Sequence, residues 1–353
     1  MKRTLFSILI ISAWLFNSCS KPSYNKYDFN WSVTNPAEVG LNSDWLDSAY
    51  IKAQQLGFVD ALLVIKDGYL VAEQYYNGYD MNTPHQIWSD TKSFMSALVG
   101  IALHKGLIES IDKKIMDYFP EYVYDGMDPR FFDITIRHLL TMTMGIDNEQ
   151  NNLIPVVVTN DWIKGTFDLP LLFDPGLKFS YNSLETHLLS VILTKVSGLT
   201  ALQYSESYLT GPMGIEIDEW TGDPMGYSTG GYNIYMKPRN MAVLGYLYLK
   251  NGRINNTRIV PKEWIEASLT RTWSSNGTAW GPLTDYNYGY LWWLGKMNGY
   301  DLFMAMGMGG QYIIVFPDLD LIVVTTSNKD ISWDNDQEIP ILEIVSDYIL
   351  ESV

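Results

Sequence analysis

The stretch IWSDTKSF, residues 87–94, opens an apolar helical pattern and carries a lysine in its first turn. The positive end of a helix dipole favours Asp or Glu there and disfavours a cation. Phe94, Ala97, Leu98, Ile101 and Ala102 follow at helical spacing, which puts Ser89 and Lys92 on one face, one turn apart. Two readings are open. Lys92 is an exposed side chain tolerated at little cost, or it is held against the Ser89 hydroxyl in a positive environment. In the second case it loses its proton more easily and becomes a base. The helix start also offers backbone N–H groups able to hold a developing oxyanion.

Other candidates for the chemistry fall away. Ser-x-x-Lys occurs at Ser18, Ser23, Ser89 and Ser110, and only Ser89 precedes a long apolar helix. Ser110 reads as a capping residue before a short helix. GYSTG, residues 226–230, matches the Gly-x-Ser-x-Gly elbow of α/β-hydrolases with Ser228 at its centre. That elbow needs a strand before it, a helix after it and a histidine downstream. Loop-like sequence flanks it here, and His85, His104, His138 and His187 all lie upstream. There is no His-Glu-x-x-His, no cysteine pair and no tight His/Asp cluster, so no metal or cofactor is expected.

Outward from this stretch, the order of elements is helix, hairpin, helical block, strand meander, helix. Residues 43–56 carry a helical pattern capped by Asn42 or Ser43. ALLVIKDGYLVAEQYY, residues 61–76, reads as two strands about a tight Lys66-Asp67-Gly68 turn. Helical patterns follow in residues 93–106, 135–142, 184–198 and 239–252, with Gly106, Gly198 and Gly252 as stops for the first, third and fourth. YGYLWWLG, DLFMAMG, QYIIVF and LIVVTTS then read as strands, and residues 339–350 as a closing helix. The fold class is α+β. Strands from both ends pair in one antiparallel sheet, flanked by the N- and C-terminal helices, and a mostly helical lobe is inserted. The expected division is a sheet lobe of about 39–88 and 285–353 and a helical lobe of about 89–284. A cleft tends to form between such lobes.

WSDTKSFMSALVGIALHKGLIESIDKKIMDYFPE, ITIRHLLTMTMGI, PGLKFSYNS and GMGGQYIIVFPDLDLIVVTTS occur in that order. In this respect the chain resembles the serine β-lactamase and penicillin-binding-protein superfamily. It is most similar to the class C β-lactamase, esterase and 6-aminohexanoate-dimer hydrolase branch, from about Val39 to the C-terminus. The resemblance implies a β-lactamase/transpeptidase-like fold and an acyl-enzyme on Ser89, with Lys92 as the activating base. Tyr181, on a helix-entry loop after a Pro-Gly turn, would relay the proton to the leaving group and help activate the deacylating water. The third motif would be Met308-Gly309-Gly310 on an edge strand, and the backbone N–H groups of Ser89 and Gln311 would form the oxyanion hole.

Two departures bear on specificity. Ser183 stands where β-lactamases usually have Asn, and Met308 where the third motif usually begins with Lys or His. The missing cation argues against efficient turnover of β-lactams or D-alanyl-D-alanine, both of which present a carboxylate. The reading is therefore a serine hydrolase for small-molecule esters or amides. A D-alanyl carboxypeptidase or weak β-lactamase would need a substitute cation, with Arg137 and Arg271 the candidates. A non-catalytic ligand-binding lipoprotein of the same fold would have Tyr181 turned away from Ser89. Met308, Gly309, Gly310, Ser183 and Trp162 are the expected substrate contacts.

The 353-residue chain is 47% hydrophobic, enough for a sizeable core, and its formal net charge of -16 argues against nucleic-acid binding. MKRTLFSILIISAWLFNSCSK pairs Lys2 and Arg3 with an apolar run over residues 5–16, which is the pattern of a secretory signal and too short for a transmembrane helix. NSCS resembles a bacterial lipobox. Residues 1–18 are read as a signal peptide and 19–38 as a tether, lipidated on Cys19 and followed by the hydrolase domain, 39–353. The expected location is the periplasm or outer membrane, held by that lipid. Cys19 is the single cysteine, so no internal disulfide forms.

Overall fold

The computed structural model describes residues 29–328 and 337–353; the signal segment and Cys19 lie outside the described residues. After the short strand β1 (Ser32–Val33), helix α1 (Ser43–Leu56) begins at Asn42, whose side chain accepts the Asp44 N–H, and ends at the left-handed Gly57. Strands β2 (Val59–Lys66) and β3 (Tyr69–Tyr75) form the expected hairpin. Its turn places Asp67 and Gly68 at φ 53° and 82°, both in the left-handed region that a two-residue turn of this type requires.

The meander supplies β4 (Trp273–Ser274), β5 (Thr284–Tyr288), β6 (Trp293–Met297), β7 (Tyr300–Gly307), β8 (Gln311–Phe316) and β9 (Leu321–Ser327). One nine-stranded sheet results, in the order β1-β3-β2-β9-β8-β7-β6-β5-β4. Only the β1–β3 pair is parallel. The two ends of the chain meet where Val64 pairs with Val323, which pairs in turn with Ile314.

Both sheet faces are covered, which is why β8 and β9 read as unbroken apolar runs. Ile65, Ile313, Val315, Ile322 and Val324 face the helical lobe. Leu62, Val64, Tyr312, Ile314, Phe316 and Val323 face α1 and the C-terminal helix. The lobe is built on α2 (Thr91–His104), buried continuously from Thr91 to Ala102 and packed against α4 (Ser183–Ser197), which also meets α3 (Glu149–Val157). Helix α5 (Pro238–Leu249) lies on the sheet with Gly245 against Ile313, Val315 and Ile322. Asn182 caps α4 by accepting the Leu184 N–H. Helix α6 (Glu338–Ile344) continues through a wider turn at Val345–Ile349 to Leu350–Ser352, as the closing helical pattern predicts.

Two local expectations differ from the structure. YGYLWWLG is not one strand, because residues 289–292 turn into the helical lobe between β5 and β6. There the Tyr290 N–H reaches Ser268 O and the Leu291 N–H reaches Leu140 O. Met308-Gly309-Gly310 does not lie on an edge strand either. It is the turn joining β7 to β8, inside the sheet, and Gly309 and Gly310 take φ 78° and 95° there.

Gly100 shows how tightly α2 is enclosed: a Cβ at that position would lie 2.3 Å from the Trp264 ring. A rigid indole has little room to yield. Gly100→Val is expected to destabilise the fold by about 1–3 kcal/mol through overpacking, seen as a lower urea midpoint. An unchanged midpoint would show that this contact is slack.

Candidate active site

Ser89 lies in the helical turn Trp88–Asp90 immediately before α2, and Lys92 is the second residue of α2 itself. Trp88 has φ 47°, a strained value for a bulky residue, which marks a sharp entry into the turn. Ser89 is partly exposed, whereas Lys92 is only 1% exposed. Lys92 is therefore not a surface side chain. Its Nζ donates to Ser89 Oγ at 2.9 Å, to Ser183 Oγ at 2.8 Å and to the Gly231 carbonyl at 3.0 Å. Burial lowers its pKa from the usual lysine value to about 8, against the opposing charges of Glu149 and Asp90. A group titrating there supplies neutral amine near physiological pH.

Two acids stand close to this amine, and burial treats them differently. Asp90 is fully buried, its carboxyl oxygens have no hydrogen-bond partner among the described residues, and burial pushes its pKa well above the carboxylate range. Burial thus favours its neutral form and weakens it as a counter-charge for Lys92. Glu149, the first residue of α3, instead accepts the Ser183 hydroxyl at 2.6 Å and the Ser183 N–H at 3.0 Å through Oε2.

Tyr181 sits on the loop entering α4, and Lys92 Nζ lies 4.5 Å from its ring centroid. Burial, reinforced by the Glu149 charge, pushes its pKa well above the phenol range, outweighing the opposing influence of Ser89. Tyr181 is thus a neutral O–H, suited to passing a proton along rather than acting as a phenolate. Trp293 and Tyr288 pack on it, with ring centroids at 5.7 and 6.2 Å.

The remaining sequence candidates are distributed more widely. Ser183 is 3% exposed and engaged by Lys92 and Glu149, so it faces the base rather than an open cleft. Trp162 is 8% exposed and packs on His187 and Tyr232, in the layer behind the site. Gln311 is buried, with its side chain bonded to Ser327. Just before the third motif, the last residue of β7 comes close to the nucleophile turn. A Cβ on Gly307 would lie 2.4 Å from Ile87 O. Of the following N–H groups, that of Gly309 is donated to Glu338 and that of Gly310 to Gly307 O. Met308 is half exposed at the rim.

Arg137 is bonded to Asp112 and Tyr290, and Arg271 to Asp285. A cavity of about 310 Å³ opens beside the turn, lined by Tyr79, Pro84, His85, Gln86, Trp88, Tyr235, Ser327 and Asn328, with no Lys or Arg in its wall. Among the described residues, no group of three or more His, Cys, Asp or Glu side chains is placed to hold a metal ion.

Sequence reasoning missed two contributors, Glu149 and the Gly231 carbonyl. The GYSTG stretch is not an elbow, since Ser228 is buried and its Oγ accepts the Leu202 N–H. Its value lies in the glycines that end it. A Cβ on Gly231 would lie 2.6 Å from Ser183 Cβ, so only glycine brings this carbonyl down to Lys92.

The fold that carries these residues has counterparts. The Beta-lactamase family model matches residues 53–344. The chain belongs to that family. It is 25% identical over 297 residues to the 6-aminohexanoate-dimer hydrolase of Paenarthrobacter ureafaciens, covering 76% of this chain and 72% of that protein. Among solved structures it matches EstCE1, a hydrolase with promiscuous acyltransferase activity, at TM-score 0.71 and 15% identity, covering 86% of this chain and 99% of the other. The octameric penicillin-binding protein homologue from Pyrococcus abyssi matches at TM-score 0.67 and 20% identity, covering 86% and 76%. These two structural likenesses show the fold. The comparisons reach the superfamily, with amide-hydrolase and esterase neighbours, and do not single out the class C branch. The chain is a hydrolase of the serine β-lactamase fold.

Within this family member, the Gly231 approach yields a direct test. Gly231→Ala forces Ser183 or the 231 carbonyl away from Lys92, and a displacement near 1 Å in such a site costs on the order of 10²-fold in rate. The expected outcome is a folded protein that reacts about 10²-fold more slowly with a serine-directed phosphonate. A wild-type rate would show that the carbonyl is dispensable.

Proposed function

We propose that the protein cleaves esters or amides through an acyl-enzyme on Ser89. The observation that carries this is the 2.9 Å contact between Ser89 Oγ and the Nζ of a buried lysine whose pKa is about 8. Neutral Lys92 removes the Ser89 proton as Oγ attacks the substrate carbonyl. The oxyanion that forms is held by the Ser89 N–H and by an N–H at the end of β7. Proximity of Gly307 to Ile87 favours Met308 for that second donor over Gln311. The C–O or C–N bond then breaks as the proton is passed through Tyr181 to the leaving group. Water then attacks the ester carbonyl as the same pair takes its proton, the acyl–Oγ bond breaks with that proton returned to Ser89, and the acid product leaves.

Neutral substrates suit this site better than carboxylates. Arg137 and Arg271 are engaged by Asp112 and Asp285, and the cavity beside the turn has no cation in its wall. This weighs against the carboxypeptidase and β-lactamase reading. Tyr181, with its ring 4.5 Å from the Lys92 Nζ that meets Ser89, weighs against a fold kept only for binding. Secretion and lipidation on Cys19, as the N-terminal pattern implies, would place the activity at the bacterial periplasmic or outer membrane.

Incubation with a fluorophosphonate and intact-mass measurement tests the assignment. Wild type is expected to gain one adduct and Ser89→Ala none, with short-chain ester turnover falling by a factor of at least about 10²–10⁴ in the variant. Equal labelling of both proteins would overturn the proposal.

A further inference from the structure

Lys92 Nζ has three oxygen neighbours, and their bonding capacities differ. The Gly231 carbonyl can only accept. A hydroxyl can donate or accept, but the Ser183 proton is committed to Glu149 Oε2 at 2.6 Å, which leaves its oxygen to accept from Lys92 at 2.8 Å. A neutral amine has two N–H bonds and one lone pair. With the two N–H bonds directed at Gly231 O and Ser183 Oγ, the lone pair falls to the third neighbour, Ser89 Oγ.

We propose that Glu149 is a positioning residue for acyl transfer. By holding the Ser183 proton it makes Ser183 a pure acceptor, and so aims the Lys92 lone pair at Ser89. The inference rests on the acyl-enzyme reading above and adds to it a residue outside the Ser89, Lys92 and Tyr181 group. The geometry is built for it, since Glu149 also accepts the Ser183 N–H and donates its own N–H to Tyr181 O, tying α3 to the loop that carries both residues. The titratable groups around the pair are Asp90 on the nucleophile turn, Tyr181 on the α4 entry loop, Tyr232 beside Gly231 and Tyr288 on β5. Glu149 is the charge that most favours the Lys92 ammonium, ahead of Asp90.

The test is the rate of fluorophosphonate labelling against pH for wild type, Glu149→Ala, Glu149→Gln, Ser183→Ala and the Glu149→Ala/Ser183→Ala double variant, with Ser89→Ala as control. Glu149→Ala is expected to label about 10–10²-fold more slowly, with the double variant no worse than either single one, because both remove one relay. Glu149→Gln keeps an acceptor oxygen but loses the charge. It is expected to recover most of the rate, with the low-pH limb displaced toward lower pH because the ammonium has lost its counter-charge. A Glu149→Ala protein that labels at the wild-type rate, or a Gln variant as slow as Ala on an unshifted limb, overturns the inference. If Glu149→Ala does not fold, the Gln limb decides. Labelling of Ser89→Ala would instead refute the acyl-enzyme reading itself, so the two failures are distinguishable.

Discussion

Everything at this site depends on a lysine kept out of water. Burying an ammonium is unfavourable unless acceptors replace its hydration, and Lys92 has three of them within 3.0 Å. They do not restore the full cost. A fall in pKa from 10.5 to about 8 corresponds to on the order of 3 kcal/mol against the charged form. Between about pH 8 and 10.5 the unfolded chain holds a proton that the folded one has released, so stability contributed by this group rises with pH across that window. The penalty is fully present at and below neutrality. The burial leaves a lysine that gives up its proton more readily, 2.9 Å from Ser89 Oγ.

The large-scale architecture was legible in the sequence because it rests on local patterns. A Lys-Asp-Gly turn between apolar runs makes the β2–β3 hairpin, and glycines mark the ends of α2, α4 and α5. Ser89 and Lys92 were legible together for the same reason, being one helical turn apart. The partners that complete the site come from 91 and 139 residues farther along the chain. Nothing in local spacing singles out the glutamate of DNEQNNL or the last glycine of GYSTGG. Those residues matter through a long-range bond and a steric gap, and both exist only in the folded chain. The third motif was misplaced by glycine richness: the sequence signals a turn there, but not which side of it meets the nucleophile.

Substrate preference follows from what surrounds the reacting atoms. Phe179 stacks on Trp273 at 4.4 Å, and Tyr181, Tyr286, Tyr288 and Trp293 extend this aromatic wall along β5 and β6. Rigid rings offer apolar area at little entropic cost and hold a hydrocarbon acyl or leaving group without selecting for charge. Arg137 and Arg271 are paired with Asp112 and Asp285, so neither is free to anchor a carboxylate. Under the proposed acyl-transfer reading, such surroundings suit neutral esters and amides.

The most direct measurement is the titration of Lys92 itself, followed by NMR of the side-chain amine in protein labelled on lysine, with Lys92→Arg assigning the signal. A midpoint near pH 8, well below that of the other lysines, is the result this account predicts. A midpoint close to 10.5 would contradict it, because an ammonium that persists at neutral pH cannot take the Ser89 proton.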